Sequence, residues 1–430
     1  MSTSTGVQPL QGPPAAGLFQ GRRIVVVSDA DAVPSAPMQA HLGPREAGQE
    51  DTLTVIALPL AFDGTPPTMG TIAASNSVTP PPSVLAVDAE GAHAYVVETL
   101  GQRGPDAHLL TDLDPGSTVR AYDIRDAAKP QLLFAYPAGH MPQAVSLHPR
   151  GGLLAIACGD VFAILGPDPH PSLRLIPVGP GGFGDAAVLV PPSEDGEPMV
   201  PSYVEWHPNG ELFAACFPWR DEVRLYAAHR VPELWIEPVG PPIRTGRFPF
   251  TGRFTPDGRH FLTTDVLWGS KAEAAEGEPG EGRLSLLRID PDTGAGEKIG
   301  EAAVGRNPGG LAVSRDGRLV VTSNLRRSHL AWGDPRLDRQ CSLSLLTFDP
   351  ADGRLETVGE ELFDGLRPEG VAFDADGKFV VVTVFDHLDL VHRRGELRFF
   401  EVVREGGVPR LRPTYYSIEV MRGPHTVVVV

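Results

Sequence analysis

The sequence predicts an all-β chain folded as a seven-bladed β-propeller with four antiparallel strands per blade. Three observations predict it. A proline is followed nine residues later by a glycine at Pro82/Gly91, Pro142/Gly151, Pro201/Gly210, Pro249/Gly258, Pro308/Gly317 and Pro368/Gly377. Short runs of β-forming residues separated by turn signals follow each proline, and the whole unit recurs roughly every 50–60 residues, the mark of a repeat architecture. Both ends of the chain carry strand material left over from these six units.

The unit at Pro308 shows the pattern best: PGGLAV, the turn SRDGR, LVVTSN, a long insert, CSLSLLTFD, the turn PADG, and RLETVGEEL. Asp-Gly turns between alternating runs favour hairpins. The repeated glycine sits where the first hairpin needs positive φ. The unit at Pro368 reads PEGVAF, DADGK, FVVVTV, GELRFFEV and LRPTYYS. The unit at Pro142 reads PQAVSL, HPRGG, LLAIAC, DVFAIL and SLRLIPV. Helical periodicity is missing beyond a few residues. At the N-terminus RRIVVVS, DTLTVIALP and MGTIAAS are three strands without an innermost partner. At the C-terminus GPHTVVVV opens like a repeat, with Pro424 in the proline position, and stops. One strand plus three makes the seventh blade, shared by the two termini, which leaves no open edge in the array. Residues 1–17 read as a disordered leader and 18–430 as one propeller domain.

This count assigns faces. The turn glycines lie on one face; the prolines and the loops between second and third strands lie on the other. The long inserts 29–51, 100–117, 269–282, 325–340 and 385–395, with 179–200 just before a proline, all belong to the proline face. Loops that are long on one side of a rigid scaffold usually carry function. The acidic, glycine-rich 269–282 has no anchor residue and reads as decoration.

Composition narrows the function. The chain has 430 residues, is 41% hydrophobic, and carries a net charge of −17 with no basic stripe, which argues against nucleic-acid binding. No apolar stretch is long enough for a membrane span. The N-terminus has neither the basic start nor the apolar run of a secretory signal. The three cysteines, Cys158, Cys216 and Cys341, lack metal-ligand spacing and read as buried hydrophobes in a reducing compartment. A cytoplasmic setting is therefore expected. No phosphate loop, nucleophile elbow, zinc, haem or quinone signature occurs in the sequence, so no cofactor or metal is expected.

The repeats NPGGLAVSRDGRLVVTSN and RPEGVAFDADGKFVVVTV resemble those of the seven-bladed lactonase-type propellers. That superfamily includes 6-phosphogluconolactonase-like and carboxymuconate-cyclising enzymes and the Tyr-Val-Thr-Asn repeat proteins. The resemblance runs from about Arg22 to the end, and its motif specifies the blade rather than the chemistry. It implies hydrolysis or formation of a lactone, or a related cyclisation or isomerisation, on a small anionic or cyclic molecule. Family members show a histidine after the proline of a mid-chain blade; here Ser202 or Tyr203 stands in that place. A following D-L-G-x-D-R-like segment appears as FPWRDEV, which keeps Arg220 and Asp221, and an S-N-R-G-H-like segment appears as Ser323-Asn324-Leu325-Arg326-Arg327.

The residue after each proline should ring the mouth of the central channel: Ser83, Gln143, Ser202, Phe250, Gly309, Glu369 and His425. Glu369 and His425 come from adjacent blades, and a carboxylate beside an imidazole suits acid–base work. A structural salt bridge closing the ring is the alternative. Under the catalytic reading His425 is the acid or base, Glu369 orients it, and Arg220 or Arg326 holds a carboxylate or oxyanion in a funnel lined by blades 6, 7 and 1. Gln143, Ser202, Asp221 and Asn324 join the substrate-facing set. The 325–340 insert adds Trp332 beside its arginines, and the 385–395 insert adds Asp386 and His387 near Asp389 and His392. A metal would favour such a cluster, but its spacing matches no defined site. His148 and His207 precede Pro-x-Gly turns on the opposite face and read as turn caps. The rival function is a non-catalytic propeller that docks a protein or peptide on its loop-rich face. Exposed Trp219, Trp268 and Trp332 round a shallow funnel would favour docking; a deep polar pocket converging on His425 would favour chemistry.

Overall fold

The computed structural model describes residues 17–36, 40–74, 83–163, 165–166, 171–193, 195–196, 199–231, 233–266, 280–386 and 394–430. Seven antiparallel sheets form the ring, and the innermost strands touch in cyclic order. Blade 1 holds Leu85–Val87, His93–Val97, Thr118–Asp123 and Gln131–Pro137. Blades 3 to 6 begin at Tyr203, Pro249, Pro308 and Val371, each with four strands in chain order. In blade 7 the order is Pro424–Val429, Arg23–Ser28, Thr52–Ala57 and Met69–Ala73, with Ile24 opposite Val429. The two ends of the chain therefore close the ring as expected.

Strand RIVVVS shows why such a blade holds together. Side chains alternate between the two sheet faces. Val25 and Val27 pack into the core shared with blades 1 and 2, while Ile24 and Val26 pack into the core shared with blade 6. All four are fully buried. A blade sandwiched between two neighbours thus needs apolar residues on both faces, and this explains the continuous valine runs.

One sequence assignment fails. The described residues of DVFAIL in blade 2 form no strand: Asp160 accepts the Leu165 amide at 2.8 Å in a turn. The third strand is instead Ser172–Gly179, and the fourth, Ala187–Leu189, lies inside the expected 179–200 insert. Of the expected leader only Gly17 is described, and most of the 269–282 insert lies outside the described residues.

The glycine face is regular. Gly91, Gly151, Gly210, Gly258, Gly317 and Gly377 all have φ between 65° and 77°. Each donates its N–H to the carbonyl of the residue three before it. His148 and His207 do cap their turns: Nδ1 accepts the Arg150 or Asn209 amide at 3.1 Å. Their Nε2 atoms also reach the turn carbonyl of the following blade, Gly210 O and Gly258 O, at 2.8 Å. The caps are therefore staples between blades.

The proline face follows a different rule. The residue before the proline is left-handed in five blades, at Met141, Phe248, Asn307, Arg367 and Gly423, with φ from 46° to 81°. A β-bulge directly follows the proline in blades 2, 4, 5 and 7. Such bulges re-aim side chains at barrel rims and near functional sites.

Candidate active site on the propeller axis

The bulges place Gln143, Gly309 and His425 as the extra residue in their strands, at the proline end of the axis. All seven ring residues, Ser83, Gln143, Ser202, Phe250, Gly309, Glu369 and His425, are buried. An open funnel is thus not what the described residues form. Instead the inserts of blades 7, 1 and 2 meet Phe385 of blade 6 over this end, with Ala36, Leu100, Leu110 and Met141 in one apolar cluster. A second cluster joins Val161, Phe248, Phe250 and Val266.

Beneath that cover lies a charged group. Arg367 Nε donates to Glu369 Oε1 at 2.9 Å, and both side chains are at most 5% exposed. The left-handed φ of 49° at Arg367 turns its backbone before Pro368. Its amide is held by Ser328 Oγ at 2.8 Å, its guanidinium lies over the Phe385 ring at 5.5 Å, and Nη1 reaches Pro34 O at 3.4 Å. Glu369 is pushed above the usual carboxylate range by burial, an effect that Arg367 opposes. His425 is 2% exposed, with Thr426 Oγ1 3.2 Å from Nδ1. Burial, reinforced by the Arg367 charge, pushes its pKa down to about 3. The imidazole is neutral at physiological pH. Arg367, which the sequence did not single out, thus pairs with Glu369, and its charge reaches His425. Its place two residues before Glu369 in R-P-E was the available signal.

A second, partly exposed group lies on the same axis. Arg253 Nη1 donates to Glu205 Oε2 at 2.6 Å, the Tyr203 hydroxyl donates to the same oxygen, and Arg253 sits over the Tyr203 ring at 5.5 Å. Burial drives Glu205 well up and Arg253 down to about 10. A narrow cavity lined by Tyr203, Arg253, Glu369 and Val427 joins the two groups, with about 10 Å³ of space. That is room for about one water.

The other expected residues divide. Gln143 is 1% exposed and neither amide atom has a hydrogen-bond partner in the protein. Such an amide is a ready donor–acceptor pair for a ligand. Ser202 instead donates to Phe250 O at 3.0 Å, stitching two blades. Asn324 is spent inside blade 5, donating to Ser342 and Ser344 and accepting from Thr322. Asp221 accepts the Phe248 amide at 2.9 Å in a left-handed turn. Arg220 grips Asp195 through both terminal nitrogens at 2.5 and 2.6 Å. Arg326 pairs with Asp338 at 2.8 Å in a separate pocket at the rim. Asp386 is buried and pairs its backbone with Leu366. His387, Asp389, His392 and Trp268 lie outside the described residues. Trp219 is half-buried, edge-on to Phe248 at 4.6 Å, whereas Trp332 is 44% exposed with Arg339 over its ring at 4.5 Å. Cys158, Cys216 and Cys341 are buried thiols that form no disulfide. Among the described residues no group of three or more His, Cys, Asp or Glu is placed to hold a metal.

Neither a protein-family model nor a curated protein matches the chain. Solved structures do. A periplasmic gluconolactonase of Pseudomonas aeruginosa matches with a TM-score of 0.62 at 19% identity, over 95% of this chain and 98% of its own. A suspected 6-phosphogluconolactonase of Bacteroides uniformis gives 0.60 at 16%, over 96% and 100%. A protein of unknown function from Desulfotomaculum acetoxidans gives 0.61 at 13%, over 95% and 98%. The chain shares the fold of these proteins, here a seven-bladed propeller.

Proposed function

We propose that the protein is a lactonase-type enzyme acting on a small anionic or cyclic organic molecule at the proline end of its axis. The observation that carries this reading is the buried Arg367–Glu369 pair, with His425 under the Arg367 charge. Ionisable groups are rarely buried without a task, since taking charge out of water is costly. Glu369 and His425, both shifted in proton affinity and both under the charge of Arg367, point to chemistry. The lactonase-type neighbours support the same reaction class through the fold.

In the hydrolytic direction neutral His425 takes a proton from water as its oxygen attacks the lactone carbonyl. Arg367 and the Gln143 amide stabilise the resulting oxyanion. The ring C–O bond then breaks, and the imidazolium returns its proton to the leaving alkoxide, giving the hydroxy acid. Glu369 holds Arg367 in place. Burial is the larger cause that depresses His425; a substrate carboxylate beside Arg367 would offset the smaller one, the Arg367 charge, and so raise its basicity in part. A cytoplasmic setting remains part of the proposal, supported by three buried thiols that form no disulfide. No nucleic acid or membrane partner enters it.

The alternative, a propeller that docks a protein or peptide on its loop-rich face, draws support from the burial of all seven ring residues. A lactone panel followed by acid release separates the two. The enzyme reading expects turnover that falls at least a hundredfold in Glu369→Gln/His425→Gln. Turnover equal in the double variant removes these residues from the mechanism, and inertness across the panel favours docking.

A further inference from the structure

We infer that the rim between blades 4 and 5 holds a second binding site, for a small organic molecule bearing two or more oxyanion charges. It goes beyond the axial reading: the lining of this pocket shares no residue with the axial cavity. The pocket has about 480 Å³ of space, within the range of small-molecule sites. Four guanidiniums line it, from Arg306, Arg326, Arg327 and Arg336. They come from two places: Arg306 from the approach to Pro308, and the other three from the 325–340 insert.

Charge is the second argument. The chain as a whole has 54 acidic and 37 basic residues. The pocket lacks that acidic excess, with four arginines against Glu281, Asp338 and Glu360 in its lining and Asp334 beside Arg336. Four guanidiniums gathered in an otherwise acidic chain are a local concentration of anion donors. All four cations are arginine, whose planar fork takes carboxylate or phosphate oxygens two at a time. Leu337 and Leu362 give the pocket an apolar wall for a carbon skeleton.

The guanidiniums already have acidic neighbours. Arg306 meets Glu281 at 2.6 Å, Arg326 meets Asp338 at 2.8 Å, and Arg336 meets Asp334 at 2.7 Å. Asp334 also feels the charge of Arg327. The Glu281 carboxylate is 72% and the Asp338 carboxylate 28% exposed, so these are solvated pairs of the kind that contribute little. They hold the arginines in position, and a multiply charged oxyanion outcompetes a single carboxylate for them. A monoanion does not. This sets the ligand class.

The test is the melting temperature of the full chain with citrate or with inorganic pyrophosphate, against sodium chloride at matched ionic strength. Citrate reports a polycarboxylate and pyrophosphate a phosphate ligand. At least one should raise it by roughly 2–4 °C at saturating concentration, as a ligand bound only to the native state does. The shift should vanish in Arg326→Gln/Arg336→Gln and persist in His425→Gln, which touches only the axis. Glu360→Gln, which removes a competing charge while keeping the fold, should tighten the anion roughly threefold. No shift beyond sodium chloride, the same shift in the arginine double variant, or unchanged affinity in Glu360→Gln would each overturn the proposal.

Discussion

The two faces of the ring are built on opposite rules. On the glycine face one device is repeated: a left-handed glycine closes the hairpin in six blades, and the residue three before it, His148 or His207 in two of them, fastens the turn. On the proline face the backbone repeats, with a left-handed residue before the proline and a bulge after it, but the side chains do not. Met141, Phe248, Asn307 and Arg367 are not glycines, although a left-handed non-glycine residue costs about 1–2 kcal/mol. Repetition marks the face that makes the fold. Strain retained with varied side chains marks the face to which we assign chemistry.

Substitutions sharpen this contrast, the largest first. Arg367→Met on the proline face strands Glu369 in a buried site and should cost about 3–5 kcal/mol by urea unfolding. It should also raise the proton affinity of His425, because the Arg367 charge is one of the two causes that depress it; imidazole NMR reads that change. Gly258→Ala should cost about 2–3 kcal/mol: φ is +71°, and a Cβ there would meet His207 Nε2 at 2.3 Å and break the staple. An equal loss at both faces in loss of turnover, rather than stability, would erase the distinction.

Acidification comes next. His425 has a lowered pKa in the folded chain, so the unfolded chain binds the proton more tightly. Its contribution is complete above the ordinary histidine range and is lost as pH falls from about 6.5 toward about 3, by up to about 1.4 kcal/mol per pH unit. Glu369, shifted up, acts in the opposite sense, gaining stability as it is protonated. His148 and His260 on the glycine side are also lowered by burial and add to the loss. The His425→Gln variant isolates one group: its stability should decline less steeply between pH 6.5 and 4.5 than that of the parent. The smallest effect is expected at Asn307→Gly. Relief of a φ of 57° there roughly offsets loss of the 3.2 Å contact with His329, so the change should stay within about 0.5 kcal/mol.

The glycine face and ring closure were legible because they rest on local chemistry. Positive φ needs glycine, and an orphaned strand at each end needs a partner; both requirements show in one repeat read alone. Blade 2 went wrong where an apolar run, DVFAIL, satisfied strand propensity while Asp160 and its turn claimed the backbone. The proline face was legible only as a list of residues. Which of them meet depends on bulges, on the left-handed turn at Arg367 and on the inserts that fold over the ring, and none of these is set by neighbours in sequence. Glu369 therefore found Arg367, and Asn324 and Ser202 proved to be internal fasteners.

One comparison tests the account most directly, because it places the same substitution on both faces. Turnover of gluconolactone and related lactones is measured for His425→Gln and His207→Gln, with urea unfolding alongside. The account predicts that His207→Gln keeps turnover and loses about 1–2 kcal/mol of stability, while His425→Gln stays folded and loses at least a hundredfold in turnover. Undiminished turnover in His425→Gln would contradict it.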